Sequence, residues 1–227
     1  MSLLARWFGA RPVPAPALAA RLAALPRRAD PAHPRWVVVD VETGGLDPRR
    51  DALLAVGAVA VSVADGTLRL ADHFEVVLRQ PVASAPANIL VHGIGHAAQT
   101  GGMPPATALA DFLDYLGDSP LVAFHAAFDA TALARACRRE LGHAFDWRWL
   151  DLAYVAPALL PREQRRSLDD WCARFGIVNA QRHHALADAL ATAELLLALR
   201  ACFGPVERDN FDAWRGCERR GRQQRLP

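Results

Sequence analysis

The chain has 227 residues, 52% hydrophobic, 22% charged and 7% aromatic; this is the composition of one ordinary globular domain with an appendage, and it excludes a disordered or collagen-like chain. A chain of this length buries roughly 70% or more of its unfolded surface, so its core needs neither disulfides nor a structural metal. The formal net charge of +2 conceals an acidic body, −7 over residues 36–214, between basic ends of +5 over 1–35 and +4 over 215–227.

In chain order, residues 1–35 read as a basic, partly helical arm. Arg6, Arg11 and Arg21 interrupt any secretory apolar core, so a docked or mobile arm fits better than a targeting peptide. The run WVVVDVE, Trp36 to Glu42, is β-branched and bounded by Pro34 and Gly44-Gly45, which predicts a strand. A second strand is expected over 53–62, and Asp65-Gly66 signals a hairpin into a third over 68–78. Helices are then expected over 106–116, 128–141, 168–175 and 185–202, the third capped by Ser167 with Asp170 three residues on. A short buried strand is expected over 121–124 and another short element near 149–152. A meander followed by strands alternating with helices predicts one α/β domain, residues 36–204, with helices packed on a mixed sheet. Residues 205–227 form a basic tail whose end, RRGRQQRLP, reads as disordered.

Cys137, Cys172, Cys202 and Cys217 form no CxxC pair and read as reduced thiols of a cytoplasmic protein. No apolar stretch approaches the ~18 residues of a membrane span. All 26 basic residues are Arg, which excludes lysine-based catalysis and a P-loop lysine. An acidic body that acts on a polyanion needs metal ions or local Arg clusters to overcome repulsion, and the basic ends either hold phosphates nearby or serve solubility.

Three places carry chemistry. Asp40 and Glu42, two apart in the first strand, point to one face with Cα atoms ~6.5–7 Å apart. Buried acids persist when neutralised, paired or metal-bound, and no basic residue lies in this strand; a metal site is the favoured reading, a solvated pair near the strand end the alternative. Thr43-Gly44-Gly45 follows, a loop able to bring backbone close to a ligand. Asp129, in LVAFHAAFD, falls at a strand-to-helix transition where open α/β sheets place their sites; alone it reads equally as a helix-start acid. His184, Asp188 and Thr192 make a polar stripe on an otherwise Leu/Ala helix, either a solvent face or a face turned to the sheet's acids.

DVETGGL, FHAAFD and HHALAD, in this order and spacing, resemble the three motifs of the DEDDh group of DnaQ-like 3′–5′ exonucleases, which includes the ε subunit of bacterial DNA polymerase III. The resemblance covers about Trp36 to Ala201 and implies a ribonuclease-H-like fold with a five-stranded mixed sheet, an antiparallel meander plus parallel strands, flanked by helices. It places Asp40 and Glu42 in the first motif, Asp129 in the second, and His183 with Asp188 in the third. Helical spacing alone prefers His184, which is kept in reserve. The second motif departs from the usual HNAxFD, with Phe124 and His125 where His and Asn are customary; this puts its substrate contacts in doubt.

What the resemblance implies is phosphodiester hydrolysis with two divalent ions, Mg²⁺ or Mn²⁺, in a hard oxygen site. Asp40 would bridge both ions, Glu42 and Asp188 would hold the first, Asp129 would support the second, and His183 would take the proton of the attacking water. Thr43, Gly45, Leu46, His125 and Phe128 are the candidate substrate contacts, with Leu46 and Phe128 against the terminal base; core packing is the competing reading for Phe128. The implied partner is a single-stranded or frayed nucleic-acid 3′ end, DNA favoured over RNA, with a DNA polymerase as a further partner if the protein is ε-like. The competing readings are an exoribonuclease, a nucleic-acid-binding module without turnover, and a phosphomonoesterase.

Overall fold

The computed structural model describes residues 16–24, 29–30, 32–163 and 167–224; the rest of the N-terminal arm and residues 225–227 lie outside the described residues. Helix α1 (Pro16–Ala24) is followed by strands β1 (Arg35–Thr43), β2 (Leu53–Ser62) and β3 (Thr67–Val77), then helices α2 (Pro86–His92), α3 (His96–Gly101) and α4 (Pro105–Leu116). Next come β4 (Leu121–Ala123), α5 (Ala126–Leu141), β5 (Trp149–Asp151), α6 (Leu152–Leu159), α7 (Leu168–Phe175), α8 (Ala185–Arg200) and α9 (Phe211–Gln224). The five strands form one mixed sheet in the order β3-β2-β1-β4-β5, antiparallel through the meander and parallel from β1 to β5.

Strand periodicity divides the core into two layers. Val37, Val39 and Val41 of β1 pack with α4 and α5, whereas Trp36 and Val38 pack with α6 to α9 on the other side. Asp40 and Glu42 continue the even-numbered face, so the strand's two acids are turned toward the layer that contains α8. One position makes that approach possible. Gly57 of β2 pairs with Asp40, and a Cβ there would lie 2.2 Å from the Leu186 nitrogen of α8. A strand glycine of this kind marks a close backbone approach, here of a helix start to the sheet.

The capping box expected at Ser167 and Asp170 is present. Helices α2, α3 and α6, of seven, six and eight residues, carry no recognisable sequence period because they are too short for one, and α6 also contains Pro157. The expectation of a disordered basic end is corrected. Residues 211–224 form α9, with Phe211, Trp214, Cys217, Glu218 and Gly221 buried on one helical face and the charges mostly on the other. Trp36 packs edge-on against Phe211 and Trp214 at ring separations of 5.1 and 5.7 Å, so this helix completes the core under β1. All four cysteines are free thiols, and among the described residues no helix is long and apolar enough to cross a membrane.

Candidate active site

β4 pairs with β1 only at Val37 and Val38, so the second half of β1 has no strand neighbour on that side. The gap is filled by the start of α5. Buried Asp129 accepts a hydrogen bond from the Val41 N–H at 3.1 Å and takes the place of the missing strand partner. From the opposite layer, the start of α8 crosses Gly57 at Ala185 and Leu186 and carries Asp188, and single carboxylate oxygens of Asp40, Glu42 and Asp188 lie within 4.8 Å of one another. Asp40, Glu42, Asp129 and Asp188 line one cavity of about 530 Å³ together with His183, Leu46, Phe124, His125 and Phe128.

Crowding of half-buried and buried carboxylates disfavours their ionised forms. Burial, then Asp129, Asp188 and Glu42, holds Asp40 well above the usual carboxylate range, while Arg182 opposes. Asp129 is raised likewise, by burial first and against backbone hydrogen bonds. Glu42 is pushed up to about 8 by burial and then by Asp188. The charge deficit defines the ligand: this donor set of carboxylate oxygens, with no thiol in the lining, fits hard divalent cations.

Two residues at the cavity were not identified from the sequence. The Asp188 carboxylate accepts from the Asn179 amide, from Arg182 at 2.5 Å and from the His183 N–H at 3.0 Å. Arg182 is simultaneously 2.5 Å from Asp169 of α7. The strand acids have no basic neighbour in their own strand, but the cavity does have this one from elsewhere. A signal existed, since Arg182 is the only charged residue between Gly176 and Asp188.

The remaining candidates separate cleanly. His183 is solvent-exposed and has a φ of 60°, which turns its N–H back to Asp188 while the residue lines the cavity; His184 caps α8, pairs with Glu75 at 3.2 Å and lines a different, smaller cavity. His125, with a φ of 66°, is the other non-glycine residue in left-handed backbone among those described, and buried Asp151 at the end of β5 holds its N–H at 2.9 Å. Such conformations cost of order 1–3 kcal/mol and cluster at functional sites. Phe124 lies edge-on to His125 at 4.9 Å. Thr43 and Gly45 are not in the lining: the Thr43 hydroxyl donates to the Gly45 carbonyl at 2.6 Å, and a Cβ at Gly45 would strike the Asp51 carboxylate at 2.4 Å. They shape the loop that presents Leu46, which is 95% exposed.

The model of the Exonuclease family matches residues 37–196. The chain belongs to that family. Among relatives of this exonuclease domain, the DNA polymerase III subunit epsilon of Rickettsia typhi is 30% identical over 173 residues, 73% of each chain. The PolC-type DNA polymerase III of Thermotoga petrophila is 28% identical over 162 residues, 71% of this chain but 12% of that much longer protein. The fold is also that of E. coli exonuclease I solved with a dT13 oligonucleotide, which matches 74% of this chain and 41% of its own with a TM-score of 0.63 at 16% identity.

Proposed function

We propose that the protein is a divalent-metal-dependent 3′–5′ exonuclease that removes nucleoside 5′-monophosphates from single-stranded or frayed DNA ends in the cytoplasm. The observation that carries this reading is the gathering of Asp40, Glu42, Asp129 and Asp188 with His183 around one cavity. In this reading Asp40, Glu42 and Asp188 hold one ion, and Asp129 with Asp40 serves a second; Mg²⁺ and Mn²⁺ suit the oxygen donors. Bound there, such ions lower the pKa of water and offset charge on the phosphate oxygens.

The chain's own residues do the rest. His183 accepts the proton of the attacking water and, being exposed, returns it to solvent. The His183 N–H bond to Asp188 fixes its backbone against the acid cluster. Leu46 and Phe128 bracket the terminal base without reading its identity, and His125 faces the phosphate side of the cavity. DNA is the favoured substrate because the relatives are DNA polymerase III proteins, and a replicative polymerase is the partner to test.

The test uses oligonucleotides of DNA and RNA, labelled at either end, with Mg²⁺, Mn²⁺ or EDTA. The 5′-labelled DNA should shorten stepwise while the 3′ label leaves as a mononucleotide, and His183→Ala should slow this by ~10²–10⁴-fold. Products formed in EDTA, a mononucleotide released first from the 5′ end, or faster loss of RNA than of DNA would each contradict the corresponding part of the reading.

A further inference from the structure

Where the loop that presents Leu46 meets α5 lies a second cavity of about 440 Å³, lined by Arg49, Arg135, Arg138, Thr131, Ala130 and Ala134. It contains three guanidinium groups and no acid in a body whose net charge is −7. The two carboxylates of the adjoining loop are engaged elsewhere. Asp47 accepts from the Arg49 N–H and pairs with Arg50, and Asp51 accepts from the Asp47 N–H beneath Gly45.

The three arginines are not equivalent. Arg135 is built in: it donates to the carbonyls of Pro48, Arg50 and Asp51, so it ties the 48–51 loop to α5. Burial and then neighbouring Arg139 push its pKa down from the ordinary value, while Asp51 and Asp47 oppose. Arg49 and Arg138 are exposed, and among the described residues neither makes an ion pair. A rigid positive wall with two unspent guanidinium groups is therefore held open to solvent.

Its placement is what assigns it. Arg49 is three residues beyond Leu46, and Ala130 and Thr131 follow Phe128 and Asp129 on α5, so both elements that frame the acid cavity also frame this one. Arg138 is nine residues past Asp129, ~14 Å along the helix axis. At ~3.4 Å per stacked nucleotide, that distance is within about four nucleotides of the acid cluster. We infer that this pocket binds the phosphates of the nucleic-acid strand upstream of the scissile bond, through Arg49 and Arg138. The inference rests on the nuclease reading and extends it: the acid cavity takes the 3′ end, and the arginine pocket supplies the attraction that an otherwise repulsive body lacks.

The test compares wild type with the double variant Arg49→Gln/Arg138→Gln in EDTA, measuring fluorescence anisotropy of 5′-labelled dT2, dT12, and dT12 whose second to fourth linkages from the 3′ end are neutral methylphosphonates. The variant should bind dT12 about tenfold more weakly, with its salt slope reduced by ~1.4, as expected for two lost phosphate contacts on a single strand. Wild type and variant should agree within twofold on dT2 and on the neutral-linkage dT12. Equal affinity and slope on unmodified dT12, or a difference that persists on the neutral-linkage strand, overturns the inference. Degradation of dT12 by wild type in Mg²⁺ is followed in parallel. If wild type degrades dT12 and the variant binds as tightly, only the pocket assignment falls; if wild type neither binds nor degrades it, the nuclease reading falls and the pocket assignment with it.

Discussion

Two sets of acids removed from full solvation in this molecule are treated in opposite ways. At the α9 end, Glu218 is 1% exposed and accepts from Arg215 at 2.6 Å and Arg222 at 2.8 Å, two cations on one carboxylate. At the cavity, Arg182 is the only arginine among the described lining residues, and it pairs with Asp188. Removing a charge from water costs several kcal/mol, which a well-placed partner offsets. Glu218 has that compensation within the fold and reads as architecture. Asp188 has Arg182, but among the described residues Asp40, Glu42 and Asp129 have no cation of their own, a deficit that fits a site completed by cations from outside.

The contrast predicts opposite signs on substitution. Asp40→Asn should reduce turnover by ~10³-fold or more, yet raise the urea midpoint of the metal-free protein by relieving repulsion. Glu218→Ala should lower stability by ~1.5–3 kcal/mol, because two charge-assisted hydrogen bonds to half-exposed guanidinium groups are lost, while the folded fraction keeps its KM. Steady-state kinetics and urea melts on both variants check this; a stability loss in Asp40→Asn would erase the distinction. A smaller effect is expected at Gly57→Ala, where the Cβ pushes α8 away from the sheet: roughly 10²-fold in turnover and ~1–3 kcal/mol in stability. Unchanged kinetics there would mean that Asp188 need not be held so near Asp40.

The same imbalance fixes a pH dependence. Glu42 has a folded pKa of about 8 against 4.5 ordinarily, so its protonated form favours the folded state. That contribution is complete below the unfolded value and is lost as pH rises through the folded one. In EDTA, the urea midpoint should therefore fall from about pH 5 to about pH 9, and Glu42→Gln should flatten the fall. A flat wild-type profile would show that the acids are better solvated than their burial implies.

Sheet, meander and the long helices were legible because β1 and β2 are Val-rich apolar runs bounded by turn residues, α5 carries a clear helical period, and α8 is a long run rich in Ala and Leu. The convergence of Asp40, Glu42, Asp129 and Asp188 was legible only through three motifs taken together, since each acid alone had an ordinary explanation. Helical spacing pointed to His184, and it failed because His184 is a cap outside the helical turn while His183 lies in left-handed backbone. Arg182, Asn179 and Asp151 escaped because their roles depend on loops whose backbone path has no sequence period. Gly57 was written in the strand but could be read only once α8 was known to cross it. The α9 helix was hidden by its charge, since ten of its fourteen residues are Arg, Gln, Asp, Glu or Gly over a narrow apolar face.

Calorimetric titration of the metal-free protein with Mn²⁺ near pH 7, in two buffers of different ionisation enthalpy, tests the cation site itself. With Glu42 pushed up to about 8, a proton is held at the cavity near pH 7 and must leave when an ion enters. Saturable binding with net proton release, abolished in Asp40→Asn and Asp188→Asn, is the predicted result. Absence of binding, or binding without proton release that survives both substitutions, would contradict it.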